Sequence, residues 1–369
     1  MALNNLLLER LFAYCEGLSA SDIHLGAGVK PRFRVQGRLE ECGEFPALDS
    51  EMVDAAAMTL GLTTLPVGSP DGAERIRMHL LERGAMDGAI TSPTGARYRF
   101  NIYRENSRTA VALRRLDSGF LPLEKLGIPL RMENFCSCRD GLVLVTGPAG
   151  SGKSTTLATL IDRINRTRKG HIITIEDPVE HLHESKLSLV RQRQIGRDAA
   201  SFHAALVEAL RQDPDVILMG ELRELATIRT AITAAETGHL VFATLHAGDA
   251  AGAVERITGV FPAEEQTGIR QQLALVLRGI LAQRLLPGVA EGSRIAACEL
   301  LVNTTGIANI IATGRTTQIY SAIETGAKDG MVTLEASLAE LVGKGKITVR
   351  TALAAARSPE NLAKRLSLQ

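Results

Sequence analysis

A chain of 369 residues, 45% of them apolar, is long for one core and predicts two domains. A net charge of +1 gives no bulk reason to expect a nucleic-acid protein. Five scattered cysteines, with a C-x-C at Cys136 and Cys138 but no paired C-x-x-C, argue against a structural zinc site and for reduced thiols.

The opening segment, MALNNLLLERLFAYCEG, reads as an amphipathic helix within 1–20, with Leu3, Leu6, Leu7 and Leu11 on one face. Glu9 and Arg10 interrupt its apolar part and no basic leader precedes it, so it is not read as a signal peptide. No run approaches the roughly 20 apolar residues of a membrane span. Any membrane association is therefore expected through a partner, without direct insertion.

SDIHLGAGVKPRFRVQGRLEEC alternates and carries Gly26, Gly28, Pro31 and Gly37, the pattern of a strand, a turn and a hairpin. Residues 50–62 read as a helix, 68–73 as a loop, and Met86 to Arg115 as strands. Together these predict a small α+β domain over 1–116. DSGFLPLEKLGIP, residues 117–129, reads as a linker to a second domain over 130–369.

The hairpin before the linker is basic, with Arg97, Arg99, Arg104, Arg108, Arg114 and Arg115. Two readings stay open: a solvated strand face, or one or two arginine fingers that reach a γ-phosphate. A nucleic-acid groove has only Tyr98, Phe100 and Tyr103 to stack bases.

GLVLVTGPAGSGKSTT, starting at Gly141, organises the rest. Leu142 to Val145 predict a short buried strand, and TTLATLIDRIN a helix. Between them, Gly147, Gly152, Lys153 and Ser154 fit G-x-x-x-x-G-K-S/T. A triphosphate needs backbone N–H groups pointing into a small cavity, which side chains would block. Gly147, Pro148, Ala149, Gly150, Ser151, Gly152, Lys153, Ser154 and Thr155 are therefore the candidate ATP-binding residues. Lys153 is placed to reach the β- and γ-phosphates and the Ser154 hydroxyl to ligate Mg²⁺.

Ile172 to Ile175 predict a second strand, ending in the acidic cluster Glu176, Asp177 and Glu180. In parallel sheets chemistry collects at the C-terminal strand ends, which puts these carboxylates near the phosphates. Val216 to Met219 predict a third strand with Glu221 just past its end, the form of a Walker B segment. Glu221 is read as polarising the attacking water, directly or through the Mg²⁺ shell. A cap on the helix that follows is the competing reading. Leu240 to Leu245 predict a fourth strand, flanked by His239 and His246. His246, at its end, is suited to sense a γ-phosphate. From about residue 250 the pattern reads as mostly helical: LALVLRGILAQRLL has helical spacing, and Ser358-Pro359 opens a last short helix.

In this order, ASDIHLGAGVKPRFRVQGRLE, GLVLVTGPAGSGKSTT, ITIEDPVEH, DPDVILMGELRE and TGHLVFATLHAGDAAGAVERI resemble the secretion ATPases of the GspE/PilT superfamily. The likeness covers nearly the whole chain and is greatest to the PilT branch, the motors that retract type IV pili. It implies an α/β fold: an N-terminal PAS-like α+β domain, then a RecA-like P-loop ATPase domain with a helical C-terminal part. It further implies a homohexamer that uses ATP and Mg²⁺ and turns one domain against the other. Such a motor is cytoplasmic and peripheral at the inner membrane, where it meets the pilus platform protein. Carried over by position, Glu221 is the catalytic glutamate, Glu176 and Asp177 belong to the Asp box, and His239 and His246 to the His box. Arg99 and Arg114 match the two arginines that approach the nucleotide.

The stretch before the phosphate loop, about 140 residues without a four-cysteine set, favours the short retraction-like form. One departure stands against it. The family signature close to AIRNLIRE reads GIANIIATG here, with Ala308 for the arginine and Ala312-Thr313 for the final Arg-Glu. That leaves open an accessory or paralogous pilus motor, or a DotB-like ATPase of a related secretion system.

Overall fold

A computed structural model describes residues 6–116 and 119–367, so Leu3 lies outside the described residues. The chain divides into two compact units. The first runs to Gly119 and takes in Asp177–Leu182 and Arg193–Ser201; the second holds Phe120–Glu176, His183–Gln192 and everything from Phe202.

The first unit contains α1 (Leu6–Gly17), β1 (Asp22–Gly26), β2 (Arg32–Val35), β3 (Arg38–Glu41), α2 (Ser50–Leu62), α3 (Gly72–Arg83), β4 (Ala85–Thr91), β5 (Arg97–Glu105) and β6 (Arg108–Leu116). The strands form one antiparallel sheet in the order β3-β2-β1-β6-β5-β4. Strand alternation sends Ile23, Leu25, Tyr98, Phe100, Ile102 and Val111 to one face, where they share a core with Leu8, Leu11 and Phe12 of α1 and Val53 and Leu60 of α2. The other face carries Asp22, Arg99 and Arg114. Helix α3 begins inside the stretch read as a loop. It is anchored mainly by Ile76 and Leu80, while Met78 and Leu81 are exposed, so its apolar stripe is blurred.

The second unit contains α4 (Leu123–Leu126), β7 (Gly141–Thr146), α5 (Lys153–Thr167), β8 (His171–Glu176), β9 (Leu189–Gln194), α6 (Phe202–Ala209), β10 (Val216–Met219), α7 (Leu225–Glu236) and β11 (Leu240–Leu245). There follow α8 (Ala250–Gly259), α9 (Ala263–Val276), β12 (Leu277–Pro287), β13 (Arg294–Val302), α10 (Thr305–Ala312), α11 (Ile319–Thr325), α12 (Leu334–Gly343), α13 (Val349–Ala355) and α14 (Pro359–Arg365). The sheet order is β13-β12-β7-β11-β10-β8-β9. β12, β7, β11, β10 and β8 run parallel, and β13 is antiparallel to β12. The stretch read as a linker is packed from Phe120 on: Leu123 and Ile128 enter this unit's core.

The C-terminal part corrects the helical expectation. Helix α9 stops at Val276, and the rest of LALVLRGILAQRLL is β12, which returns as β13. A strand buried on both faces is a continuous apolar run, and such a run fits helix or strand equally well. Gly279 decides locally: a Cβ there would lie 2.3 Å from the Phe135 ring, where β12 shifts register against β7. Ser358 does cap α14, accepting the Asn361 N–H, with Pro359 at its start.

Candidate nucleotide site

All six residues of β7 are buried, and the chain leaves them at Thr146 for the glycine loop. Gly147, Gly150 and Gly152 have φ of +148°, +74° and +88°, which side chains disfavour. Two of them also answer to a protein neighbour. A Cβ on Gly147 would stand 2.2 Å from the Gln283 carbonyl oxygen, and one on Gly152 2.8 Å from Gln283 Nε2. Gln283, buried on β12, also accepts the Thr156 hydroxyl at 2.9 Å, so the loop and the first turn of α5 rest on one side chain.

Lys153 opens α5, and its ammonium donates to the carbonyls of Gly147 (3.0 Å) and Pro148 (2.9 Å). Desolvation lowers its pKa, and the Glu221 carboxylate acts in the opposite sense. The Ser151 hydroxyl is buried without a hydrogen-bond partner. Ser154 is exposed in the first turn of α5, where helix N–H groups lack upstream carbonyls. A cation, free N–H groups, an orphan hydroxyl and a glycine-lined cradle are a donor set that fits a polyphosphate. Beside the loop lies a cavity of about 550 Å³, lined by Pro148, Ala149, Leu285, Leu286, Pro287 and Arg350 among others.

The parallel register brings the C-terminal ends of β8, β10 and β11 level. Glu221 is therefore close to His246, whose Nε2 is 3.4 Å from Glu221 Oε1, and to Arg223, whose Nε is 2.6 Å from the same oxygen. Thr244 donates to the Gly220 carbonyl, and Leu222 N–H donates to Thr244 O at 3.0 Å, fixing the turn that presents Glu221. The capping reading of Glu221 fails, because α7 starts at Leu225 with Glu224 at its N-cap position. Glu176, ending β8, accepts from Thr174 Oγ1 (2.6 Å) and Gln192 Nε2 (3.2 Å). Asp177 is the first residue of the 177–182 segment of the other unit.

His239 is a correction. It precedes β11, level with the start of β7, with Nδ1 2.9 Å from Ala234 O and its own carbonyl accepting the Gly141 N–H. A six-residue strand, about 20 Å, separates the two strand ends, so the structure does not bring His239 to the loop. In the first unit Arg99 and Arg114 are direct cross-strand partners. Their repulsion is offset by carboxylates: Arg114 Nε lies 2.8 Å from Asp22, and Arg99 lies 3.0 Å from Glu180 and 3.8 Å from Asp87. Gln283 and Arg223 escaped sequence reasoning. Their signals are slight: one polar residue within an apolar run, and a basic residue two positions after Glu221.

Residues 97–355 match the family described as type II/IV secretion system protein. The chain belongs to that family. It is a P-loop ATPase. The chain is 42% identical over 354 residues to the type IV pilus retraction ATPase PilT of Pseudomonas aeruginosa, covering 96% of this chain and 99% of that one. It superposes on the crystal structure of the pilus retraction motor PilT with bound ADP at a TM-score of 0.85 and 39% identity, over 97% and 99% of the two chains. The ATPase DotB of Legionella pneumophila matches at a TM-score of 0.80 and 26% identity, over 94% of each chain.

Proposed function

We propose that this chain is an ATP-hydrolysing motor that powers retraction of type IV pili, acting as a homohexamer. The observation that carries hydrolysis is the 3.4 Å contact of Glu221 with His246 past the ends of β10 and β11, with the Lys153 ammonium within electrostatic reach of Glu221. Retraction is supported by the full-length likeness to PilT. Lys153 and the N–H groups of residues 149–155 bind and orient the β- and γ-phosphates. The Ser154 hydroxyl and Glu221, the latter directly or through water, would hold Mg²⁺, and the ion would supply charge neutralisation at the phosphate oxygens. Glu221 polarises the attacking water and His246 orients it. The cavity beside the loop has the apolar walls that a nucleoside needs. Glu176 and Asp177 supply the acidic edge, and Arg99 and Arg114 act as fingers toward the γ-phosphate.

On this reading the six-stranded unit is the PAS-like domain and the seven-stranded unit the RecA-like domain. Among the described residues no helix is long and apolar enough to cross a membrane. The motor then works on the cytoplasmic side, held at the inner membrane by the pilus platform protein. A second reading has one observation in its favour. On α10, where the retraction family carries its arginines, Ala308 and Ala312 stand beside the buried Ile307 and Ile311. An accessory pilus motor or a DotB-like ATPase accommodates that loss of charge. Deleting the gene in its host and counting surface pili with surface motility tests the proposal. Excess pili with lost motility support retraction. Bald cells indicate an extension motor, and unchanged pili move the chain to a secretion system.

A further inference from the structure

His246 is carried on the turn 246–250, between β11 and α8. Within the turn, Asp249 caps α8 by accepting the Gly252 N–H at 2.7 Å. Thr146 of β7 holds the start of the turn, its hydroxyl accepting the Ala247 N–H at 2.8 Å and lying 2.8 Å from Ala247 O. Three further contacts hold its remainder. Glu299 of β13 accepts the Ala250 N–H at 2.8 Å. Arg357, in the connection from α13 to α14, donates to the other Asp249 oxygen at 3.2 Å. Arg284 of β12 donates to Gly248 O at 3.4 Å and to Ala355 O at 2.7 Å, tying the end of α13 to the turn.

The far side of this strap is itself fixed. The Arg357 guanidinium lies over the Tyr320 ring, 5.0 Å from its centre. Tyr320 donates its hydroxyl to Glu335 at 2.5 Å, and Glu335 also accepts the Ser358 N–H at 3.0 Å. Glu299 and Glu335 are both buried, 3% exposed. Carboxylates so deep are costly unless their bonds compensate. Both accept an N–H at the start of a helix, and both helices border the 355–358 strap or the His246 turn.

We propose that Glu299 and Arg357 are positioning residues for hydrolysis: they clamp Asp249 and Ala250 and so hold His246 against Glu221. The α13–α14 connection is thereby part of the reaction's machinery. The inference rests on the reading that Glu221 and His246 serve ATP hydrolysis. Neither residue touches the reacting atoms. The His246–Glu221 contact of 3.4 Å leaves little slack, and a misplacement of roughly 1 Å can cost about a hundredfold in rate.

The test measures kcat, KM for ATP and the unfolding midpoint of the full chain. It compares wild type with Arg357→Met, Glu299→Leu, Glu299→Gln, His246→Ala and the Arg357→Met/His246→Ala double variant. Arg357→Met and Glu299→Leu are expected to lower kcat about tenfold with KM within about twofold. Glu299→Gln, which keeps an acceptor, restores most of that loss. The double variant is expected to turn over no more slowly than His246→Ala alone, because the clamp acts through His246. If Glu299→Leu does not fold, Arg357→Met on its half-exposed side chain carries the test. Normal kcat in Arg357→Met, an equal loss with and without His246, or a Gln variant as slow as the Leu variant overturns the inference. A wild-type protein that binds ATP without hydrolysing it overturns the functional reading and this inference with it.

Discussion

At their N-terminal ends β8 and β11 present His171 and His239; at their C-terminal ends they present Glu176 and His246. Strand content is the same, and both ends hold titratable side chains. At the N-terminal end each group is tied to backbone of its own unit. His171 Nδ1 lies 2.9 Å from Gln212 O, Asp215 accepts the His171 N–H at 2.7 Å, and His239 Nδ1 lies 2.9 Å from Ala234 O. These contacts close turns. At the C-terminal end the side chains face one another: Glu221 meets both Arg223 and His246, and Lys153 rests on loop carbonyls that a phosphate can replace. The difference comes from strand direction. In a parallel sheet the helices after each strand begin at this end, so their free N–H groups and the loop glycines gather there. Residue type alone does not make a histidine chemical; its end of the strand does.

That contrast can be broken or sharpened. Lys153→Ala removes the sole lysine of the loop and is expected to weaken ATP binding about a hundredfold, roughly 3 kcal/mol, in a direct titration. His246→Ala is expected to lower kcat about tenfold. His239→Ala, at the other end of the same strand, should leave kcat within about twofold and act on thermal stability instead; a matching loss of turnover would break the contrast. Arg99→Ala is expected to reduce turnover with an unchanged unfolding midpoint, whereas simple unfolding of the first unit would remove the finger role.

The smallest effect concerns Glu299, whose pKa burial pushes up from 4.5 to about 7, partly countered by the Ala250 N–H. With its folded value above its unfolded one, this carboxyl binds a proton more tightly in the folded state. Its contribution therefore favours folding below the ordinary carboxylate range and is lost as pH rises toward 7. Glu299→Gln should flatten that slope, a change of about 2 kcal/mol between pH 5 and 8, read from unfolding midpoints across pH.

The phosphate loop was legible because its backbone demands glycine, and glycine is visible in a sequence. Four of the five parallel strands, β7, β8, β10 and β11, were legible as short apolar runs between turn residues. β12 was not, because a strand buried on both faces has no alternation and continues directly from α9. α3 was hidden because exposed Met78 and Leu81 blur its apolar stripe. Of the site, Lys153, Glu221 and His246 could be placed by the rule that chemistry sits past the ends of parallel strands. His239 shows the limit of that rule, since a pair of histidines flanking one strand looks symmetrical until direction is known. Gln283 supports the loop from more than a hundred residues away, a closeness that only the β7–β12 pairing creates.

The most direct test of the account is Glu221→Gln, with ATP affinity and steady-state turnover measured on one preparation. The account predicts affinity close to wild type and turnover lower by about a hundredfold or more, the loss of a positioned base. Near-normal turnover would contradict it and remove the catalytic role from the end of β10.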